Sequence, residues 1–237
     1  MIMPLLEVIT SSGFASLLGM RHALEPDHIA AVSTLVSDEQ SSVRAAWLGV
    51  CWGIGHTLTL FVVGLGLVLV QSEIPSGLAD VFEIIVSVML IGLGMRSVLQ
   101  AARLGSKGPA TLHKHRWVVH RHPGMPAHVH IGNWTLARRP LLVGAVHGLA
   151  GSGALAALVL TTLPSTASRL AYMIVFGLGS TAGMAVLSGL LGWPLARLGA
   201  HEHVTRGVSF VVGCMSMVLG VVWGYPLVLR MSLDLRP

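Results

Sequence analysis

The chain has 237 residues, of which 53% are apolar and only 11% charged, with 28 glycines and a mean hydropathy of +0.75. A soluble domain carries about 25% charged residues, so this composition cannot clothe a globule in polar surface; it excludes a soluble enzyme, a disordered segment and a disulfide scaffold. The net charge of +5 and a pI near 10 read as the basic excess on the cytoplasmic loops of a membrane protein, not as a nucleic-acid surface.

The first residues, MIMPLLEVIT, lack the basic stretch of a cleaved signal peptide. Segments of about 20 apolar residues can cross a bilayer, and six are found in chain order. The first, about 7–36, is long enough but holds Arg21, Glu25 and Asp27 well inside it. The second is 46–70, and the third is 81–102, with Glu83 near one end and Arg96 near the other. A polar linker, 103–139, separates these from 140–163, 170–196 and 207–229, which contain no Lys, Arg, Asp or Glu. Cys51 and Cys214 lie in apolar runs, without the spacing of a metal-binding thiol pair. The expected fold is an all-α integral membrane protein of six transmembrane helices, with halves 1–102 and 140–237 flanking the linker.

Those halves resemble each other. Gly19-Met-Arg-His-Ala-Leu24 matches Gly144-Ala-Val-His-Gly-Leu149 at an offset of 125 residues, and Gly53-Ile-Gly-His-Thr57 matches Gly177-Leu-Gly-Ser-Thr181 at 124. Three helices per half is an odd number, so the halves must insert with opposite topology, a transporter architecture with its site at the repeat interface. The connections after segments one, three and five carry Arg44, then Arg96, Arg103, Lys107, Lys114, Arg116, Arg121, Arg138 and Arg139, then Arg197 and Arg206. These eleven face only Arg169, Arg230 and Arg236 on the other side. The imbalance places the linker in the cytoplasm and both termini outside a cell membrane.

The linker holds His113, His115, His120, His122, His128 and His130 as three His-x-His pairs, and His201 with His203 makes a fourth in the next cytoplasmic connection. In an extended chain, residues i and i+2 project to one side. Each pair could therefore offer two imidazoles to one metal, capturing or buffering it rather than conducting it.

The charges inside the first helix carry the functional signal. Arg21, Glu25 and Asp27 would together cost on the order of 8–10 kcal/mol if placed centrally and unpaired. Arg21 and Glu25, at i,i+4, could neutralise each other, which leaves Asp27 between His22 and His28, and Arg21 and Glu25 are candidates to support or gate the metal path. One negative charge flanked by imidazoles complements a divalent transition cation. On a straight helix Asp27 would sit about 140° from His22. Pro26, lacking an amide hydrogen, breaks the helix there, and broken membrane helices line ion sites. His56 and His147 lie in apolar runs, each open to a ligand or a structural role, and His147 is the repeat partner of His22. Ser152 and Ser180 stand where the second half matches Asp27 and His56, so one asymmetric site built mainly from the first half is expected. Imidazole with carboxylate suits nickel, cobalt, zinc or copper(II), and not magnesium or calcium.

Arg21-His-Ala-Leu-Glu-Pro-Asp-His28 resembles the His-x4-Asp-His signature of the nickel/cobalt transporters. The Glu-Pro form, followed by Ile-Ala-Ala-Val, is similar to the urease-accessory, UreH-like branch, as are Trp52-Gly-Ile-Gly-His-Thr-Leu-Thr59 and His147-Gly-Leu-Ala-Gly-Ser152. The resemblance implies a permease for nickel or cobalt. His22, Asp27 and His28 would lie in the metal path, with His56 supporting them. The ion would be cargo rather than a resident cofactor, and a cytoplasmic metallochaperone is a possible partner. Better-known uptake permeases of the family carry Asp-Ala at the Glu25-Pro26 positions and have eight helices, so metal preference and direction stay open. No Gly-x4-Gly-Lys-Ser/Thr motif is present, so ATP coupling would need a partner. Two other classes compete. An intramembrane serine protease would use Ser152, yet segments five and six contain no histidine. A thiol carrier would use Cys51 and Cys214, yet neither has a neighbour that activates a thiolate.

Overall fold

The computed structural model describes residues 13–37, 39, 41–70, 74–103, 113–115, 118–120, 128–131, 134–163, 165–198 and 202–234. Among the described residues, seven helices carry the fold. The first, α1 (13–22), ends in a tight turn over 23–25, where the amides of Leu24 and Glu25 reach back only three residues, to the carbonyls of Arg21 and His22. The next helix, α2 (Pro26–Val36), starts with its proline at the first turn and Glu25 extended at φ −66°, ψ 148°. Proline forces that geometry: it disfavours a helical residue before it and needs no donor at the first helical position. The expected break is therefore a stop and a restart, and it puts Asp27 in the first turn of α2, where the helix dipole favours a carboxylate.

The long helices follow: α3 (Ser42–Val70), α4 (Ser76–Arg103), α5 (Arg138–Thr162), α6 (Thr166–Leu198) and α7 (Glu202–Asp234). Among the described residues, the spans 42–70, 77–102, 166–195 and 203–233 are long and apolar enough to cross a membrane. Among the described residues between α4 and α5 are four short strands, β1 (His113–His115) pairing antiparallel with β2 (Val118–His120), and β3 (His128–Ile131) with β4 (Trp134–Ala137). The linker thus adds local β structure that its polar composition did not suggest.

The helices are built inside out. Leu58, Val62, Leu178, Leu190, Met215 and Val218 are exposed, while Ser97, Ser180, Ser188, Ser209 and Ser216 are buried. Large apolar side chains face outward, as lipid requires, and small residues allow backbones to approach. Each long helix finds its main partner far along the chain: α3 packs on α6 and α5, and α4 packs on α7. Across α3 and α6, Thr57 Oγ1 lies 3.0 Å from Thr181 Oγ1. A methyl group on Gly53 would strike Thr181, and one on Gly177 would strike Thr57. Across α4 and α7, Ser97 donates to the carbonyl of Ser209 and Ser216 donates to that of Leu90, both at 2.8 Å. Arg230 of α7 also pairs with buried Asp80 at the start of α4.

Candidate metal centre

The break between α1 and α2 places three polar side chains side by side, and α3 and α5 each add a histidine. His22 ends α1, Asp27 and His28 open α2, His56 lies midway along α3, and His147 lies on α5. Two glycines seat α5: a side chain on Gly144 would collide with the backbone of Trp52, and one on Gly148 with the carbonyl of His56. That contact brings His147 up to the first half. Asp27, His28, His56 and His147 are all buried, and His22 is half-buried.

The hydrogen bonds fix which ring nitrogens carry protons. Asp27 accepts on both oxygens, from His28 Nδ1 at 3.0 Å and from His147 Nε2 at 2.6 Å. As a carboxylate it can only accept, so in each ring the opposite nitrogen keeps its lone pair. On the other side, His22 Nδ1 donates to Glu25 Oε1 at 3.0 Å. His22 Nε2 must then accept, and at 3.2 Å its donor is His56 Nε2. This leaves lone pairs on His28 Nε2, His147 Nδ1 and His56 Nδ1, and those three atoms are buried without a hydrogen-bond partner. Their ring centroids lie 4.2 Å (His28–His147), 5.2 Å (His28–His56) and 6.1 Å (His56–His147) apart. An unsatisfied buried acceptor costs about 1–3 kcal/mol, and a bound cation is one partner that relieves it. A carboxylate that orients metal-binding imidazoles is a recurrent outer-shell device.

Two sets of donors lie close enough to hold an ion: His22, His28 and His56, and Asp27, His28 and His147, with the donor atoms of each set within 4.8 Å of one another. Donors on one ion sit about 3.3 Å apart for metal–nitrogen bonds of about 2.0–2.1 Å, so small side-chain rotations would close either set. His28 belongs to both. A cavity of about 1120 Å³ reaches His22, Asp27, His28 and His147 and is lined also by Arg21, Glu25, Glu83, Phe176, Trp223 and Pro226.

Several expectations meet the structure differently. Pairing of Arg21 with Glu25 is one account of these charges, but the turn after His22 takes Glu25 out of the helix and removes the i,i+4 geometry. Glu25 pairs with His22 instead, and exposed Arg21 lines the cavity. Ser180 is buried on α6 and belongs to neither donor set, while the side chain of Ser152 on α5 lies outside the described residues. His113, His115, His120, His128 and His130 fall on the linker strands, away from the helical site in sequence, and His203 is exposed on α7. His122 and His201 lie outside the described residues. Cys51 and Cys214 are both free thiols. The sequence reading missed Trp52, which is fully buried with its ring 5.3 Å from that of His28 and 5.7 Å from that of His147. Its signal was present as a tryptophan four residues before His56, one helical turn away.

Comparison with known proteins agrees with this chemistry. Residues 8–201 match the family model of the high-affinity nickel-transport protein, NicO. The chain is 31% identical to the urease accessory protein UreH of Bacillus sp. (strain TB-90), over 94% of this chain and 92% of that protein. It is 27% identical to the chloroplast protein FOR GROWTH AND FERTILITY 1 of Arabidopsis thaliana, over 90% of this chain and 58% of that one. No solved structure matches. With its membrane-length helices and its buried histidine–aspartate cluster, the chain belongs to the NicO family of nickel transporters.

Proposed function

We propose that this protein is a multi-pass permease that moves nickel or cobalt ions through the His22, Asp27, His28, His56 and His147 cluster. The observation that carries the reading is the pair of close donor sets, His22 with His28 and His56 and Asp27 with His28 and His147, which share His28 and lie beside one carboxylate. An ion arriving by the cavity passes Arg21, Glu25 and Glu83 and meets half-buried His22 first. It exchanges water for imidazole nitrogen, and the charge of Asp27 offsets part of the dehydration cost. Imidazole donors retain nickel and cobalt and discriminate against magnesium and calcium.

The contacts between helices support two inverted halves of three crossings each, with the broken α1–α2 pair and α5 as equivalent members. Contacts repeat reciprocally when residue numbers are shifted by about 119–125. Gly19 abuts Phe176 while Gly144 abuts Trp52, and Gly55 abuts Leu141 while Gly179 abuts Ser16. The paired bonds Ser97 to Ser209 and Ser216 to Leu90 obey the same exchange. A pseudo-two-fold axis produces such reciprocity. In this reading the eleven basic residues put the linker in the cytoplasm and both termini outside. The cavity, lined from the start of α4 and the end of α7, then faces outward, and rocking of the halves exposes the site to the other side. Ser152 and Ser180 would act only as supporting polar groups on the second half.

The test is the time course of radiolabelled nickel in cells making the protein or its His28→Ala variant. Nickel flux of either sign above background, removed by His28→Ala with the protein still in the membrane, is expected, and its sign gives the direction. No His28-dependent flux of nickel, cobalt or zinc would overturn the reading.

A further inference from the structure

Helix α4 carries two acids, Asp80 and Glu83, inside its membrane-length span of 77–102. A carboxylate there is costly and persists where it is paired or lines a polar pathway. Asp80 is the paired one: it is buried, and the guanidinium of Arg230 donates to both its oxygens. Glu83, about 9 Å along the helix from the start of that span, is exposed, and among the described residues its carboxylate makes no hydrogen bond or ion pair. Its backbone carbonyl accepts from the hydroxyl of Ser87 at 2.9 Å, which does nothing for the charge. Glu83 lines the cavity that reaches His22, Asp27, His28 and His147.

Four formally charged side chains line that cavity: Arg21, Glu25, Asp27 and Glu83. Three acids against one base leave a formal charge of −2 with the imidazoles neutral, which matches one divalent cation. Two of the acids are already engaged, Asp27 with His28 and His147, and Glu25 with His22. Glu83 and Arg21 are the two whose charges no described side chain engages, and their signs are opposite. Much of the remaining lining is apolar, including Leu18, Phe176, Val222 and Trp223. A cleft with low-dielectric walls and one sign of net charge concentrates its counter-ion and speeds arrival by about 10- to 1000-fold. The same cavity touches His28, whose buried Nε2 has no hydrogen-bond partner, so a cation drawn in by charge meets a nitrogen ligand there.

We infer that Glu83 sets the charge selectivity of the entry route: its carboxylate attracts the hydrated divalent cation and holds it through its water shell before any imidazole replaces that water. Arg21 opposes this attraction and limits it. The inference rests on the transport reading above. Exchange of water for nitrogen still belongs to the imidazoles, so Glu83 governs capture of the ion and not the rate of a saturated carrier.

The experiment is exchange of radiolabelled nickel for internal nickel by the full-length protein in phosphatidylcholine vesicles, which carry no net surface charge. Initial rates are taken over a range of nickel concentrations at low and at near-physiological ionic strength. At low ionic strength, Glu83→Gln is expected to raise the half-saturating nickel concentration about tenfold, with the saturated rate within about twofold of the parent. Glu83→Asp, which keeps the charge, should stay within about threefold, and Arg21→Gln should lower the half-saturating concentration by about threefold. Added salt should shrink both differences, as screening requires and as a packing defect would not. An unchanged half-saturating concentration in Glu83→Gln, a defect shared by Glu83→Asp, or one indifferent to salt overturns the inference. Should Glu83→Gln fail to fold, Arg21→Gln decides: a half-saturating concentration that does not fall overturns it. A parent that exchanges no nickel, cobalt or zinc brings down the transport reading and this inference together, whereas His28-dependent exchange that Glu83→Gln leaves intact brings down this inference alone.

Discussion

Two stretches of this chain that match in sequence at an offset of 125 residues carry different side chains. The first runs from α1 through α2 and is interrupted over residues 23–25, with Pro26-Asp27-His28 restarting the helix. Its counterpart, shifted by 125 residues, is Gly151-Ser152-Gly153 in the continuous helix α5. Both contribute a histidine, His22 and His147, and both are seated by glycines against a neighbouring helix. Only the first has a carboxylate and a break. The comparison teaches that scaffold and ligand set are separable. Glycine-mediated packing occurs in both stretches, while the proline, the aspartate and the second histidine, on which the proposed cation chemistry rests, are present in the first alone.

The largest expected effect comes from removing the carboxylate. Asp27→Asn keeps size and polarity but gives up the charge and one of the two acceptors that set the tautomers of His28 and His147. Nickel transport is expected to fall at least 100-fold with membrane expression unchanged, as measured by isotope flux and immunoblot. Activity within a few-fold of the parent would make the charge dispensable and erase the contrast with Ser152.

Next is the break itself. Pro26→Ala restores an amide that the carbonyl of His22 can accept, so α1 and α2 can fuse into one helix. Asp27 would then rotate to about 140° from His22 and the cluster would open. We expect about a tenfold loss of transport with unchanged or raised thermal stability, because alanine is the best helix former and lets the two helices continue as one. Lower stability with full transport would show that the break serves folding and not the site.

The smallest effect is expected in the second half. Ser152→Ala should alter nickel flux less than about twofold, since the ligand set already includes an acidic group on the other half. The same variant would abolish a serine protease, so complete loss of function here would reopen that reading.

Much of the site was legible in the sequence because charge is costly in a membrane. Arg21, Glu25 and Asp27 stand out against apolar surroundings, and Pro26 announces the break that lets His22 and His28 converge. The partnership of Glu25 was not legible, because an i,i+4 rule applies only while the helix continues, and it ends at His22. Helix pairing was hidden for a different reason. The long helices are apolar on every side, so no polar face marks the outside, and the contacts of α4 with α7 depend on serines and glycines that look alike along the whole sequence. The linker hairpins were missed because their strands are three or four residues long, and their register is fixed by pairing and not by periodicity.

The central claim is that the imidazoles of both halves bind one ion beside Asp27. Its most direct test is the nickel X-ray absorption spectrum of the purified protein loaded with one equivalent of nickel, with His113, His115, His120, His128 and His130 replaced by alanine to silence the linker. The account predicts at least three imidazole nitrogens at about 2.1 Å, one fewer after His147→Ala and one fewer again after His56→Ala. A spectrum of oxygen ligands alone, or one that neither substitution changes, would contradict it.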